Sequence, residues 1–564
     1  MAQATEWDAI IVGGGHNGLV CACYLARAGL KVVVLEKRAV PGGAVVTEEV
    51  FPGYRLDLAS IYHELIQGTP VINELELPRF GLEYIELDPW AFAAFPDGRS
   101  LRFWRDVDRT CQEIAALSPA DADRYRDFVQ QWRQVYQALL EGLTARTPTQ
   151  MTGQVGGGAL NHLLALLGRG DAPDTAEKTL SAYGQLLGET FESDYMRGPL
   201  AFIGSEVGHA PSDLGTGHYA GMAALYHTIG GWRPRGGSGA LTDALVRCLS
   251  HHGGELRVAT PVERIVVQDG KVRGVQAGGQ EWASRTVIAG THLWTTLFDL
   301  LTPENLSAEL TRRARALSMR DGIGLLVHAA TDALPDYTAT PSGDSAAPHH
   351  RGLQILCPSV EHLQRASDEA RLGRPPHAPA ALVFTATATD PSLAPPGKHT
   401  LFIRGQFYPY TLADGQTWDA LRDAEADRLL ATVGQYAPNV PTAITARKLQ
   451  TPLDTERWFG LYRGHYTHLD MNLDQMFPFR PCLGLTDFRG PVEGLYLTGA
   501  SVHPGGGVSG APGYNTARTV LEDRQSPGRW MVGAAAAGAA LAAGARWLNQ
   551  RGKGGEADEA EARG

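Results

Sequence analysis

The chain has 564 residues, 43% of them apolar and 20% charged, and a formal net charge of −11. This length predicts several domain-sized units, and the composition is that of an ordinary globular protein. The acidic balance argues against a nucleic-acid partner, because phosphate neutralisation requires a basic surface.

The first predicted elements form a strand, a glycine turn and a helix. The apolar run 9–12 is typical of a buried parallel strand. Gly13, Gly15 and Gly18 follow in G-x-G-x-x-G spacing, and residues 19–28 continue as a predicted helix. Strand, turn and helix therefore occur in the order that binds a dinucleotide.

Each part of this motif has a separate expected function. Gly13 makes the tight turn, Gly15 lets the backbone approach a pyrophosphate, and Gly18 lets the helix pack closely on the strand. A second apolar strand, 31–35, ends at Glu36. The Glu36 carboxylate can accept hydrogen bonds from ribose hydroxyls, which favours FAD or NAD over NADP.

A second glycine turn favours FAD over NAD as the cofactor. Gly42 and Gly43 follow Glu36 within a few residues, and Ala44 comes next. This turn is suited to the flavin side of a dinucleotide, and no second G-x-G-x-x-G with its strand and acid occurs in the chain. We therefore predict FAD as the cofactor and include Lys37, next to Glu36, in its site.

The middle of the chain alternates between predicted element types. Residues 80–105 predict short strands around a Pro-Asp-Gly turn, 118–145 a helix, and 160–168 a compact apolar helix. Residues 232–275 predict a glycine turn, a helix, a strand and a hairpin, and 285–292 predict a further strand.

Adjacent histidine pairs cannot both face one metal on a regular element, so no metal site is predicted.

Five stretches resemble the carotenoid desaturase family of FAD oxidoreductases. They are VGGGHNGLV, VPGGAVVTEE, GGSGAL, DQMFPFRP and LTGASVHPGGGVSGAPG. The chain up to about residue 524 is similar to phytoene desaturases, to desaturase-type β-carotene ketolases and to flavoproteins named for a pyridine nucleotide-disulfide oxidoreductase domain. Ala44 stands where many amine oxidases have an arginine, which favours the desaturase side.

The resemblance implies an α/β fold in which a Rossmann-like FAD-binding domain of the GR2/amine-oxidase-like type is interleaved with an α+β substrate domain. The expected FAD-binding pieces are 1–75, 231–300 and 481–524. The expected substrate-domain pieces are a helical insertion, 76–230, and a mixed region, 301–480. An Ala-rich helix and a disordered acidic tail are expected at 525–564.

The last glycine turn is expected to close over the redox end of the flavin. A predicted strand, 495–498, delivers Gly499 and Ala500 to the flavin phosphates. The turn 503–507 then passes the flavin ring, and Val508 and Ser509 start a helix whose dipole would stabilise the reduced ring. Gly507 belongs to the same predicted site.

The resemblance also implies the remaining contacts and the chemistry. Val262 would place its backbone against the adenine ring, and oxidised FAD would remove a hydride from a hydrophobic polyene. We expect this polyene to be a carotenoid, and the resemblance leaves ketolation, desaturation and isomerisation open. His63, His468 and His503 are the candidate catalytic residues. Each is more often a structural histidine than a catalyst, so the catalytic residue stays open.

The sequences at the two ends of the chain predict where the protein lies in the cell. The predicted strand at residue 9 leaves no room for a signal peptide, which favours a cytoplasmic protein. An uncharged run, 530–545, with tryptophan and arginine at its edges is either a surface-packed helix or an anchor that touches the inner face of a membrane. We therefore expect possible peripheral membrane contact and leave the oligomeric state open.

Two other functions compete with the carotenoid hypothesis. A flavin amine oxidase would require an aromatic pair around an amine, and Ala44 and the HPGGG turn argue against it. A flavin-binding scaffold or regulator without turnover would keep the glycine motifs and lack a continuous apolar tunnel.

Overall fold

A computed structural model describes residues 6–145, 173–320, 322, 324–340 and 347–526. Its strands are β1 (Ala9–Val12), β2 (Val32–Leu35), β3 (Thr47–Phe51), β4 (Tyr54–Asp57), β5 (Tyr84–Leu87), β6 (Ala91–Ala94), β7 (Ser100–Phe103), β8 (Gly231–Pro234), β9 (Glu255–Arg257), β10 (Val262–Gln268), β11 (Lys271–Ala277), β12 (Gln280–Ala283), β13 (Val287–Ala289), β14 (Gly324–Thr331), β15 (Leu353–Leu356), β16 (Ala381–Phe384), β17 (His399–Gln406), β18 (Ile444–Gln450) and β19 (Leu495–Leu497).

The α-helices are α1 (His16–Arg27), α2 (Glu64–Gln67), α3 (Val71–Glu74), α4 (Val107–Ala115), α5 (Pro119–Gly142), α6 (Pro173–Leu180), α7 (Tyr183–Thr190), α8 (Asp194–Gly204), α9 (Gly217–Ala220), α10 (Ala223–Ile229), α11 (Gly239–His251), α12 (Ala308–Arg315), α13 (Val360–Arg371), α14 (Trp418–Tyr436), α15 (Val440–Ala443), α16 (Pro452–Phe459) and α17 (Ala511–Gln525).

A five-stranded parallel sheet joins distant parts of the chain. Its strand order is β19-β13-β1-β2-β9, with β1 in the centre. Alternate side chains of β1 enter two different cores, since successive residues of a strand point to opposite faces. Ala9 and Ile11 pack with α1, α11 and α17, whereas Ile10 and Val12 pack with the β10–β12 sheet. Both faces of the sheet are therefore covered.

A second, seven-stranded sheet has the order β18-β14-β17-β16-β15-β6-β7. Its neighbours are antiparallel except for the β15–β6 pair. One face packs against α14, and the other packs with Leu326, Leu382 and Phe402 towards the helices α4–α10. This second face bounds the cavity described below.

The structure shifts several predicted element bounds. Helix α1 begins at His16 rather than at residue 19, because Gly15 is already its N-cap. Helix α17 begins at Ala511 rather than at Val508 and Ser509, because Gly510 takes a left-handed conformation (φ 69°) just before it. The segment bounds predicted for the domains stay predictions. The predicted apolar helix 160–168 and the tail beyond residue 526 lie outside the described residues.

Candidate active site

The first glycine turn leaves an open space at Gly15. Gly13 has a φ of 99° and donates its amide to the Leu35 carbonyl at 2.9 Å. A Cβ on Gly18 would lie only 2.4 Å from the Gly13 carbonyl oxygen, so the helix can pack here only without a side chain. A Cβ on Gly15 would meet no atom within 4 Å. The space at the N-terminus of α1 therefore fits a pyrophosphate, which its amides would bind.

Glu36 is held beside this turn. Its side chain is buried, and Oε2 accepts a hydrogen bond from the Gly14 amide at 2.7 Å. Oε1 accepts from the Arg38 amide at 2.8 Å. Each carboxylate oxygen has a second lone pair, so Glu36 can still accept ribose hydroxyls. Lys37 is exposed, and its ammonium lies against Gly460.

The second glycine turn packs directly on the first. The Gly42 amide donates to the Gly14 carbonyl at 2.8 Å. A Cβ on Gly42 would lie 2.4 Å from the Val45 carbonyl oxygen, and one on Gly43 would lie 3.4 Å from the Gly15 Cα. The two predicted turns therefore form one surface.

The last glycine turn is held by one buried arginine. Arg480 is fully buried, and its guanidinium donates to five carbonyl oxygens, those of Thr467, Leu469, Asp470, Gln475 and Ala500. Burial lowers the pKa of Arg480 to about 10. Ala500, one of the predicted cofactor residues, is thereby fixed next to Gly499, which lies against Gly290.

Side chains of the protein crowd the glycines that follow. Added Cβ atoms would lie 2.6 Å from the Met471 sulfur at Gly505, 2.5 Å from Thr467 at Gly506 and 2.5 Å from Leu65 at Gly507. Unlike Gly15, these glycines are required by packing inside the protein.

The residues after this turn have two different surroundings. Gly507 and Val508 line the cavity described below. Ser509 is buried; its Oγ accepts from the Ala511 amide at 3.2 Å, and its carbonyl accepts from Thr69. Ser509 therefore caps the chain turn before α17.

The three candidate histidines are separate from one another and from the cavity lining. His63 Nε2 lies 2.6 Å from Ser238 Oγ, and its Nδ1 lies 3.1 Å from the Tyr84 hydroxyl. His468 Nδ1 lies 2.9 Å from Ser501 Oγ.

The third, His503, donates from Nε2 to the Gly142 carbonyl at 2.9 Å. All three rings are buried, and burial lowers the pKa of His63 and of His468 well below the usual value. These contacts favour structural hydrogen bonding over proton transfer.

His16 is a site residue that motif reading misses. It borders the cavity, and it belongs to the first turn but interacts with the Gly507 backbone of the last. Desolvation nevertheless lowers the pKa of His16 to about 4, so the ring is neutral at pH 7. The residue occupies a variable position of G-x-G-x-x-G, and the motif therefore carries no signal for it.

A cavity begins where the glycine turns meet. Its volume is about 270 Å³, and Ala44, Ala500, Gly507 and Val508 border one part of it. Much of the remaining lining is apolar and includes Ile61, Leu65, Met222, Leu326, Leu353 and Phe402. An apolar site next to the predicted flavin position suits a hydrophobic substrate.

Val262 starts β10 and is half-buried, so its predicted adenine contact stays a prediction.

Of the residues that the structure describes, none belong to a group of three or more His, Cys, Asp or Glu side chains able to hold a metal. None of the described helices is both long and apolar enough to span a membrane.

A family model described as "flavin containing amine oxidoreductase" matches residues 18–521. Proteins of this family contain a flavin, which confirms the predicted cofactor, FAD. They are oxidoreductases, which confirms an enzyme rather than a scaffold. The structure of an oxidoreductase from Methanosarcina mazei has a TM-score of 0.59 at 17% identity and covers 92% of this chain and 100% of its own. The α/β fold with a Rossmann-like domain is thus confirmed.

Curated relatives extend over nearly the whole chain. Pyridine nucleotide-disulfide oxidoreductase domain-containing protein 2 of Rattus norvegicus is 33% identical and covers 92% of this chain and 94% of its own. One component of the limonene dehydrogenase of Castellaniella defragrans is 28% identical (93% and 96%), and a lycopene-forming phytoene desaturase of Pantoea ananas is 26% identical (91% and 99%). The resemblance to carotenoid desaturase-type flavoproteins is confirmed.

Proposed function

Because this chain belongs to the flavin containing amine oxidoreductase family, we propose that it oxidises a hydrophobic, carotenoid-like polyene by desaturation. The observation that carries this proposal is the apolar cavity that starts at Ala44, Gly507 and Val508 and runs onto Leu326, Leu353 and Phe402 of the seven-stranded sheet. Two relatives are named for limonene and phytoene, both hydrophobic molecules, and they support the same substrate class.

Desaturation requires the removal of a hydride and a proton from neighbouring carbons. The hydride acceptor would be supplied by FAD. The glycine turns and Glu36 would hold this cofactor, and the apolar lining would exclude water and orient the substrate chain. Ketolation would require oxygen in addition, so desaturation is the simpler reaction for this site. The predicted peripheral membrane location is part of this proposal, because such substrates reside in membranes.

The test is expression of the full chain in cells that accumulate phytoene, lycopene or β-carotene. We expect a new pigment two hydrogen atoms lighter than its precursor, detected by chromatography and mass spectrometry. The Gly15→Asp variant, which should not bind the cofactor, is the control. Unchanged pigments in cells that contain the flavin-loaded protein would contradict the proposal.

Amine oxidation is a second candidate, and one observation favours it. Two carboxylates, Glu64 and Glu206, border the cavity and would attract an ammonium group. However, Arg404 pairs with Glu206 and offsets that charge. Hydrogen peroxide release from a panel of lipophilic and soluble amines would separate this candidate from the first.

A further inference from the structure

A polar cluster that contains charged side chains lies in the largely apolar wall of the cavity. Its members are Glu64, Glu206, Arg404 and Tyr466, all of which border the cavity. Arg404 follows Phe402 on β17 by two residues, so both side chains point to the cavity face of the sheet. Arg404 is 9% exposed, and its guanidinium donates to the Glu206 carboxylate.

A hydrocarbon substrate gives no reason for this cluster. Burying an ion pair removes two charges from water, and apolar residues of the same volume often stabilise a protein equally well. Leu and Met side chains, like those nearby, would line a hydrocarbon site without that cost. The cluster therefore points to a polar group on the ligand.

Three polar atoms of the cluster are buried and have no hydrogen-bond partner among the described residues. They are Nε of Arg404, Oε2 of Glu64 and the Tyr466 hydroxyl. Buried polar atoms of native proteins nearly always have a partner. The Tyr466 hydroxyl is also close enough to the Arg404 guanidinium for the two to interact. Two donors and one carboxyl group are thus available to a ligand.

The charges of the cluster select an uncharged ligand group. The Arg404 and Glu206 charges cancel, and burial together with Glu206 raises the pKa of Glu64 to about 7. A carboxylate ligand would lie against Glu206, and an ammonium ligand would lie against Arg404. A hydroxyl can accept from Arg404 or Tyr466 and donate to Glu64, so it satisfies the cluster without a net charge.

We propose that the substrate of this cavity is an apolar chain with an uncharged oxygen function, a hydroxyl best of all, that Arg404, Tyr466 and Glu64 bind. This inference rests on the proposed function for its apolar chain and its oxidation, and it adds the head group.

The test compares four C20 isoprenoid probes that share the phytenyl chain and differ in the head group: phytol, the hydrocarbon phytene, phytenic acid and phytylamine. Binding to the flavin-loaded full chain is measured by equilibrium dialysis and by the change in flavin absorption, at one fixed detergent concentration. We expect phytol to bind at least about tenfold more tightly than phytene, because hydrogen bonds to charged groups contribute that much.

The Arg404→Met variant should lose this preference while it keeps its flavin. Tyr466→Phe removes one hydroxyl without leaving a buried charge, so it tests the same point if Arg404→Met fails to fold. Arg447→Met is the matched control, since Arg447 pairs with Asp427 outside the cavity lining and should leave the preference intact.

Several results would overturn the inference. These are equal or tighter binding of phytene, preference for the acid or the amine, no binding of any probe, or a phytol preference that survives in both Arg404→Met and Tyr466→Phe. Tight phytene binding would overturn the head group alone and leave the proposed oxidation of apolar chains standing. Failure of that proposed function is seen separately, as unchanged pigments in the cell assay.

Discussion

The first and the last glycine turns are both rich in glycine for different physical reasons. At residues 13–18 a side chain on Gly15 would enter open space. At residues 499–507 three consecutive glycines are crowded by Met471, Thr467 and Leu65, and Arg480 holds the segment from behind. The first turn thus leaves space for the predicted cofactor, and the glycines of the last turn are required mainly by packing.

The largest expected effect breaks the support of the last turn. Arg480→Met removes the guanidinium from five carbonyls, of which those of Thr467, Leu469 and Asp470 keep another donor. Because the hydrogen bonds to Gln475 and Ala500 are lost outright, we expect the free energy of unfolding to fall by about 4 kcal/mol. Arg480→Lys keeps the charge but not the planar geometry and should lie in between. Urea unfolding measures both, and a midpoint unchanged in Arg480→Met would show that the turn does not depend on this arginine.

A substitution in the first turn should weaken cofactor binding and leave the stability of the protein unchanged. Gly15→Asp places a carboxylate in the open space, so FAD affinity should fall about a hundredfold, or about 3 kcal/mol. The apoprotein should unfold at the same temperature as wild-type apoprotein. Gly188→Asp, at an exposed glycine of α7 with equally open surroundings, is the control. A variant that retains flavin would place the pyrophosphate elsewhere.

Glu64, which borders the cavity, should make stability depend on pH. Its pKa is raised from 4.5 to about 7, so the folded protein binds this proton more tightly than the unfolded chain does. The resulting stabilisation is complete below pH 4.5 and is lost as the pH rises to about 7.

In Glu64→Gln that loss, about 3 kcal/mol, should disappear. Denaturant unfolding between pH 4.5 and 8 measures the difference between variant and wild type. Parallel curves for the two proteins would contradict the shifted pKa.

The smallest expected effect concerns His503. Its Nε2 donates to Gly142 at the end of α5, so His503→Ala should destabilise the protein by about 1 kcal/mol. Turnover should change less than about threefold. A loss of turnover of a hundredfold or more with normal stability would restore His503 as a catalytic residue.

This contrast also separates what was predictable from what was not. The turn geometry at Gly13, Gly18 and Glu36 could be predicted from sequence because the strand-turn-helix motif imposes a recurring local geometry, whereas their contact with FAD stays a prediction. The parallel sheet followed from the same pattern. The packing function of Gly505–Gly507 could not be predicted from sequence, because it depends on Met471, Thr467 and Leu65, which are distant in sequence.

The cavity was less predictable for the same reason. Its apolar wall comes from four strands of one sheet, and Arg404 meets Glu206 across 198 residues of chain. Motif reading selected His63, His468 and His503 for their residue type, whereas burial and partners decide their function. The sequence motif gives no signal for His16, because only the tertiary fold brings this residue to Gly507.

The most direct test of the proposed oxidation is anaerobic mixing of the flavin-loaded protein with a detergent-solubilised polyene such as phytoene or lycopene. The account predicts that flavin absorption near 450 nm bleaches in step with the formation of a product two hydrogen atoms lighter, and that it does not bleach with detergent alone. Flavin that stays oxidised with every polyene, and bleaches instead with an amine, would contradict it.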